Sequence, residues 1–302
     1  MSYLGIFKLK AVFFTLLLTC HAVLAAQPDR FGDIVIEVTE LTDSIYMLTG
    51  AGGNLAVSVG EDGLLLVDDQ YAPMAERIAE SLANLPGAVL SERPLKYVVN
   101  THHHGDHTGG NAFFAKAGAT IIASEPARVR LLARAPSAAS PLPVITYHEG
   151  VHIYFNGDRL KLSALKGHTD GDTAVFFERA NVLHAGDLFF NGRFPFIDLE
   201  SGGGVASYLS SQAQLLTMIN NDTLVIPGHG PLARRDDLQA MHDMIKATRK
   251  AVAKDIRSGL SLTHIQERGL DDGYHPLAWA FISEARWIET LYWDLLENDA
   301  QQ

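Results

Sequence analysis

The sequence predicts an α/β fold: two mostly antiparallel sheets lie face to face with helices outside, a four-layer αββα sandwich that continues into a C-terminal helical extension. Three observations carry that prediction. Short apolar runs separated by Gly, Asp and Asn turn signals recur at hairpin spacing, the second half repeats the strand and helix plan of the first, and the chain beyond Pro231 takes on helical periodicity. With 47% hydrophobic and 20% charged residues over 302 positions, the composition is that of a globular protein able to bury a substantial core.

Ahead of the first strand, Lys8 and Lys10 precede the apolar run Ala11 to Cys20, and Val23, Leu24 and Ala25 supply residues suited to signal-peptidase cleavage. The apolar stretch to Ala25 is broken by Thr15, Thr19 and His21 and falls short of the roughly 20 residues a spanning helix needs. Residues 1–25 therefore read as a secretory signal, which implies a periplasmic or secreted protein with no stable membrane insertion after cleavage. Lipidation at Cys20 is the weaker reading, because Thr19 stands where a smaller residue is expected. Cleavage after Ala25 removes two lysines and no acid, taking the formal charge from −11 to −13. So acidic a chain repels nucleic acid and anionic membrane surfaces. Cleavage also removes Cys20, the only cysteine, so the mature form has neither a disulfide nor a thiolate ligand.

Strands are expected at Ile34 to Thr39, Ile45 to Leu48, Leu55 to Val59 and Leu64 to Val67. Met74, Ile78, Leu82 and Leu85 lie three or four apart and mark one helical face ending near Pro86 and Gly87. Tyr97 to Asn100 reads as a buried strand, followed by a helix after Gly110, a strand at Thr120 to Ala123 and a helix from Pro126 to Ala133. The second half offers strands near Val151 to Phe155, Leu160 to Leu165, Ala174 to Phe177 and Val182 to Ala185, a helix from Val205 to Met218, and a strand at Thr223 to Ile226. Long helices are expected over Asp236 to Ser258 and His275 to Glu297. In the latter, Trp279 and Trp287 fall on one stripe near Trp293, which reads as core rather than as an aromatic ligand box. These patterns divide the chain into the signal at 1–25, a catalytic domain at 30–232 and the helical extension at 233–302.

The strand at Tyr97 to Asn100 runs into Thr101-His-His-His-Gly-Asp-His-Thr-Gly-Gly110, which holds four of the 13 histidines. His102 and His104 are two apart, so in extended chain they point the same way and one metal can take both. Imidazole and carboxylate suit zinc and related divalent ions. His168, Asp187 and His229 each follow a strand and sit beside a glycine, which lets the backbone turn sharply toward a shared centre. Four strand ends then bring together His102, His104, Asp106, His107, His168, Asp187 and His229.

This set resembles the metallo-β-lactamase superfamily of metallohydrolases, whose hallmark is His-x-His-x-Asp-His followed by a distal His, an acidic or cysteine ligand and a final His. The resemblance covers roughly Ile34 to Gly230 and leaves the helical tail outside the shared core. It implies that His102, His104 and His168 hold one metal, that Asp106, His107 and His229 hold a second, and that Asp187 bridges them. His103, at the odd position, is expected to face away.

The implied cofactor is a pair of Zn2+ ions sharing a hydroxide, since two such ions lower the pKa of a shared water toward neutrality. That hydroxide is the expected nucleophile for an amide, ester or thioester bond of a small molecule of the β-lactam, lactone or thioester class, with Asp106 orienting it and passing its proton onward. The chain offers no Gly-x-Ser-x-Gly elbow for covalent catalysis. Asp172 and His184 are candidates for orienting ligands, and Asn191 and Arg193, within Phe189 to Phe196, for contacting substrate. An aspartate at 187 disfavours members with a cysteine ligand there and resembles glyoxalase II-type thioesterases and lactonases. The tail lacks the basic glutathione-binding residues of glyoxalase II. A different class remains open: persulfide dioxygenases resemble this ligand pattern and use one iron, with oxygen chemistry in place of hydrolysis.

Overall fold

The computed structural model describes residues 30–299 except 89, 91 and 135–140; the expected signal at 1–25, with Cys20, lies outside the described residues. A first sheet of seven strands runs in chain order: β1 (Glu37–Glu40), β2 (Ile45–Thr49), β3 (Leu55–Gly60), β4 (Gly63–Val67), β5 (Leu95–Val99), β6 (Thr120–Ser124) and β7 (Ile145–Tyr147). Its first four strands pair antiparallel, and β4 to β7 pair parallel. A second sheet holds β8 (Gly150–Phe155), β9 (Asp158–Leu165), β10 (Asp172–Phe177), β11 (Val182–His184), β12 (Leu224–Ile226) and β13 (Ala233–Arg234), with β11 and β12 its parallel pair. The architecture is thus an αββα sandwich of two mixed sheets with C-terminal helices.

Strand alternation builds the layers. On β2, Ile45 and Met47 face the space between the sheets, where they meet Leu65, Val67, Leu160, Leu162, Val175 and Phe177. Their neighbours Tyr46 and Leu48 face outward with Leu64 and Leu66, against Met74 and helix α1 (Ala75–Ala83), which presents Ile78 and Leu82. β4 is therefore buried on both faces, which explains its unbroken apolar run. On the far side, Ala174, Leu183 and Val225 of the second sheet pack beneath α5 (Val205–Met218), α6 (Arg235–Arg257) and α8 (Glu284–Asp299). That outer core draws on both the second sheet and the C-terminal helices. Among the described residues no helix is long and apolar enough to cross a membrane.

The expected helix from His275 to Glu297 is corrected. Residues Asp272–Leu277 form a 3-10 turn, and α8 starts only at Glu284. Pro276 has no N–H to donate, and between the two segments Trp279 N bonds Ile282 O at 3.0 Å, closing a tight turn in place of a helix. The tryptophan stripe fails with it: Trp287 is fully buried, Trp293 is 46% exposed, and Trp279 leaves the stripe to line a cavity. Short elements without a periodic signature went unpredicted: β7, β13, α2 (Gly105–Thr108) and α7 (Leu262–Arg268). The remaining helices are α3 (Asn111–Lys116) and α4 (Glu125–Arg134).

Candidate metal centre

The ends of β5, β9, β11 and β12 open on one rim of the sandwich. After β5 the chain bends through residues 101–103, is extended at His104 and then turns into α2, where His107 N and Thr108 N bond His104 O at 3.1 Å. That turn separates the motif into two halves. His102 and His104 gather with His168, which follows β9, and with Asp187, from the 3-10 turn Gly186–Leu188 after β11; Asp106 and His107 gather with His229, which follows β12.

Asp187 lies between the groups. Its Oδ2 is 3.8 Å from His102 Nε2, 3.4 Å from His168 Nε2 and 3.5 Å from His229 Nε2, while Oδ1 is 3.2 Å from His107 Nε2. His229 Nε2 stands 3.4 Å from both Asp106 Oδ2 and His107 Nε2. Such gaps suit donors around a common ion: a tetrahedron with bonds of 2.0–2.1 Å has edges of roughly 3.3 Å. His104 Nδ1 and His168 Nε2 are closer, at 2.8 Å. His102 Nε2 and Asp187 Oδ1 are buried with no hydrogen-bond partner, a costly arrangement unless a cation completes it. The donor set therefore fits a divalent metal.

The far nitrogen of each of four histidines is engaged, which fixes the tautomer that aims a lone pair inward. His107 Nδ1 donates to Asp68 Oδ2 at 2.7 Å, and His168 Nδ1 donates to Phe196 O at 2.8 Å. His104 Nε2 donates to Asp198 Oδ2 at 3.0 Å. Thr101 Oγ1 gives its proton to Asp68 Oδ2 and so receives the one on His102 Nδ1, at 3.0 Å.

Electrostatics divide the donors. Burial, assisted by neighbouring imidazoles, holds His102 well below the usual histidine range and takes His168 down to about 4. Burial acts the same way on His107 and His229, but the carboxylates of Asp187 and Asp106 outweigh it, raising His107 strongly and His229 to about 9. Burial opposes ionisation of Asp187 and Asp106 too, yet surrounding histidines hold Asp187 well below the carboxylate range and Asp106 at about 2. A divalent cation would take the place of those imidazole protons.

Two glycines give the approach its room. A Cβ at Gly228 would overlap Asp187 Oδ1, and one at Gly53 would overlap the His107 ring.

Asp172 accepts His168 N at 2.8 Å and the Thr169 hydroxyl at 2.6 Å, so it shapes the loop that carries His168; burial pushes its carboxyl up to about 8. His184 touches no donor of the cluster. Its Nε2 bonds Asn54 O at 3.0 Å and its Nδ1 accepts Gly186 N, which secures the turn before Asp187. Asn191 is a correction: it bonds Pro231 O through Nδ2 at 3.0 Å and is not part of the cavity wall. Arg193 is in that wall, with Tyr71, Phe190, Phe196, Trp279 and Phe281. His103 stays outside both gatherings around Asp187; it is buried, with Nε2 3.5 Å from Ser201 Oγ, and forms a separate trio with His104 and Asp198.

Sequence reasoning missed Asp68, Asp198, Tyr71 and the cavity role of Trp279 and Phe281. Asp68 had a usable signal, since it begins an acidic pair at the end of the buried strand β4. Asp198 had none, because only folding brings it to His104.

The chain belongs to the metallo-β-lactamase superfamily, whose family model matches residues 49–229. Over 119 residues it is 29% identical to a hydroxyacylglutathione hydrolase of Synechococcus sp. (strain JA-3-3Ab), covering 39% of this chain and 42% of that one. Over 232 residues it is 23% identical to the 2,4-dinitroanisole O-demethylase subunit alpha of Nocardioides sp. (strain JS1661), covering 76% of this chain and 66% of that one. The chain thus spans less than two thirds of the length of these curated relatives. A solved metallo-β-lactamase from Pontibacter korlensis shares the fold, with a TM-score of 0.60 at 20% identity over 70% of this chain and 99% of that one.

Proposed function

We propose that the protein is an exported hydrolase that uses two zinc ions to cleave an ester, thioester or amide bond of a small molecule. The observation that carries this reading is Asp187, which stands between the two sets of histidines: its Oδ2 is 3.4 Å from His168 of one set and 3.5 Å from His229 of the other, and its Oδ1 is 3.2 Å from His107. His102, His104 and His168 would hold one ion and Asp106, His107 and His229 the other, with Asp187 available to both. When bound, the ions supply Lewis acidity that lowers the pKa of a water toward neutrality and polarises a substrate carbonyl.

The protein's own groups do the rest. Asp106 lines the cavity and remains anionic at neutral pH, so it accepts a hydrogen bond from the attacking water and orients it toward the substrate carbonyl. His107, held by Asp68, cannot tilt away from its neighbours. Phe190, Phe196, Trp279 and Phe281 exclude bulk water from one side of the cavity. A glutathione thioester suits this cavity poorly, because its lining offers a single arginine and no lysine.

The test is turnover by the purified mature protein, loaded with zinc, against a panel of small esters, thioesters, lactones and lactams. Hydrolysis is expected to disappear on chelation and return with zinc. No turnover of any class above that of free zinc would refute the proposal, as would one iron per chain together with oxygen consumption on a persulfide. Export is checked by the mature N-terminus, expected at Ala26 in protein recovered outside the cytoplasm; intact Met1 in that fraction would refute it.

A further inference from the structure

The cavity over the cluster holds about 550 Å³, room for a drug-sized molecule. Beyond the metal-facing side chains, its wall carries Tyr71 and four further rings that touch one another in series. Phe196 meets Phe281 edge to face at 5.2 Å, Phe281 meets Trp279 at 5.6 Å, and Phe190 lies 6.3 Å from Trp279. Two of the rings come from the non-helical stretch before α8. Phe194 N bonds Leu277 O at 2.8 Å and Trp279 Nε1 bonds Phe194 O at 2.9 Å, so this stretch and the loop after Asp187 hold each other in place.

Arg193 is the one cation among these lining residues, and its Cζ lies 5.0 Å from the Trp279 ring centroid. Among the described residues it has no carboxylate partner and no hydrogen-bond acceptor, in a chain with 35 acidic residues against 24 basic ones. Stacking on Trp279 occupies a face of the guanidinium and leaves its five N–H donors free around the edge. That edge matches the two coplanar oxygens of a carboxylate. Burial lowers its pKa, as expected for a cation short of a counter-charge.

Resting on the hydrolase reading above, we propose that the substrate is an aryl or arylalkyl compound with a carboxylate separate from its scissile bond. Its apolar body lies among Phe190, Phe196, Trp279 and Phe281, its carboxylate pairs with Arg193, and its scissile carbonyl faces Asp106 and Asp187. Arg193 and Trp279 are specificity residues for the reaction.

Binding tests this without turnover. Zinc-loaded wild type, Arg193→Met and Trp279→Leu are titrated calorimetrically with 3-phenylpropionate and with the neutral 3-phenylpropanol. Wild type is expected to bind the carboxylate at least about tenfold more tightly, as a charge-assisted hydrogen bond warrants. Arg193→Met is expected to abolish that preference by weakening the carboxylate alone, and Trp279→Leu to weaken both probes. A carboxylate preference that survives Arg193→Met places the anion on the metals and overturns the proposal, as does equal weakening of both probes by that variant. Should the hydrolysis panel be negative while these titrations come out as expected, the hydrolase reading falls and the carboxylate site stands.

Discussion

Asp68 accepts three hydrogen bonds, from Thr101 N at 2.7 Å, Thr101 Oγ1 at 2.8 Å and His107 Nδ1 at 2.7 Å, and through them it governs two histidines of the cluster. It does so from a left-handed backbone conformation, φ 61°, that costs a non-glycine residue energy and persists because those bonds hold it. Asp68→Asn puts an N–H where the hydroxyl and the imidazole now donate. His107 must then shift its proton to the nitrogen facing His229, and metal affinity is expected to fall about 10- to 100-fold with the fold retained. Competition with a chromophoric chelator measures it, and unchanged affinity would show that Asp68 does not orient His107. His229 predicts a pH effect in the metal-free protein. Its folded pKa of about 9 exceeds the ordinary 6.5, so protonated His229 stabilises the fold fully below pH 6.5, and that contribution is lost as pH rises through about 9. The urea midpoint in excess chelator should fall across that window, and the fall should be smaller in His229→Asn. A midpoint that rises with pH equally in both proteins would contradict the assignment. The seven converging side chains were legible because four stand in one histidine-rich run after a strand and the other three, His168, Asp187 and His229, each follow a strand beside a glycine. Asp198 was not, since nothing in its local sequence announces that Phe189–Asp198 folds back over His104.

At the scale of elements, strands and long helices were readable because each buries one periodic face. α5 spans Val205–Met218 as its apolar spacing requires, and β4 reads as buried because both of its faces are. The departure at residues 278–283 has a local cause. Pro276 and the Trp279 to Ile282 turn break a pattern that apolar spacing alone would continue, and the break carries Trp279 to the cavity while Trp287 stays in the core. Trp287 stacks on Phe194 with centroids 5.9 Å apart and bonds Thr248 Oγ1 at 3.2 Å, joining α8 to α6 and to the loop after Asp187. Trp287→Ala is expected to cost about 3–5 kcal/mol of stability, read from denaturant unfolding. A loss under about 1 kcal/mol would mean that the site collapses around the missing ring, which well-packed cores seldom allow.

Across the whole molecule, the C-terminal helices cover the outer face of the second sheet, and the non-helical stretch between them supplies part of the cavity wall. A chain ending at Leu232 leaves Phe189, Phe194, Val205, Tyr208 and Leu215 without α6 and α8 to cover them. It is expected to lose cooperative thermal unfolding, and a sharp, wild-type-like transition would contradict that. The overall layering followed from alternation and turn chemistry, whereas the cavity's shape depends on where the extension returns, a long-range property that no local pattern encodes. The claim on which the rest depends is that seven side chains, meeting around Asp187, grip two divalent ions. Elemental analysis of the purified full-length protein tests it most directly. Wild type and His103→Ala should each carry two divalent ions per chain and Asp187→Ala at most one; equal metal content in wild type and Asp187→Ala would contradict it.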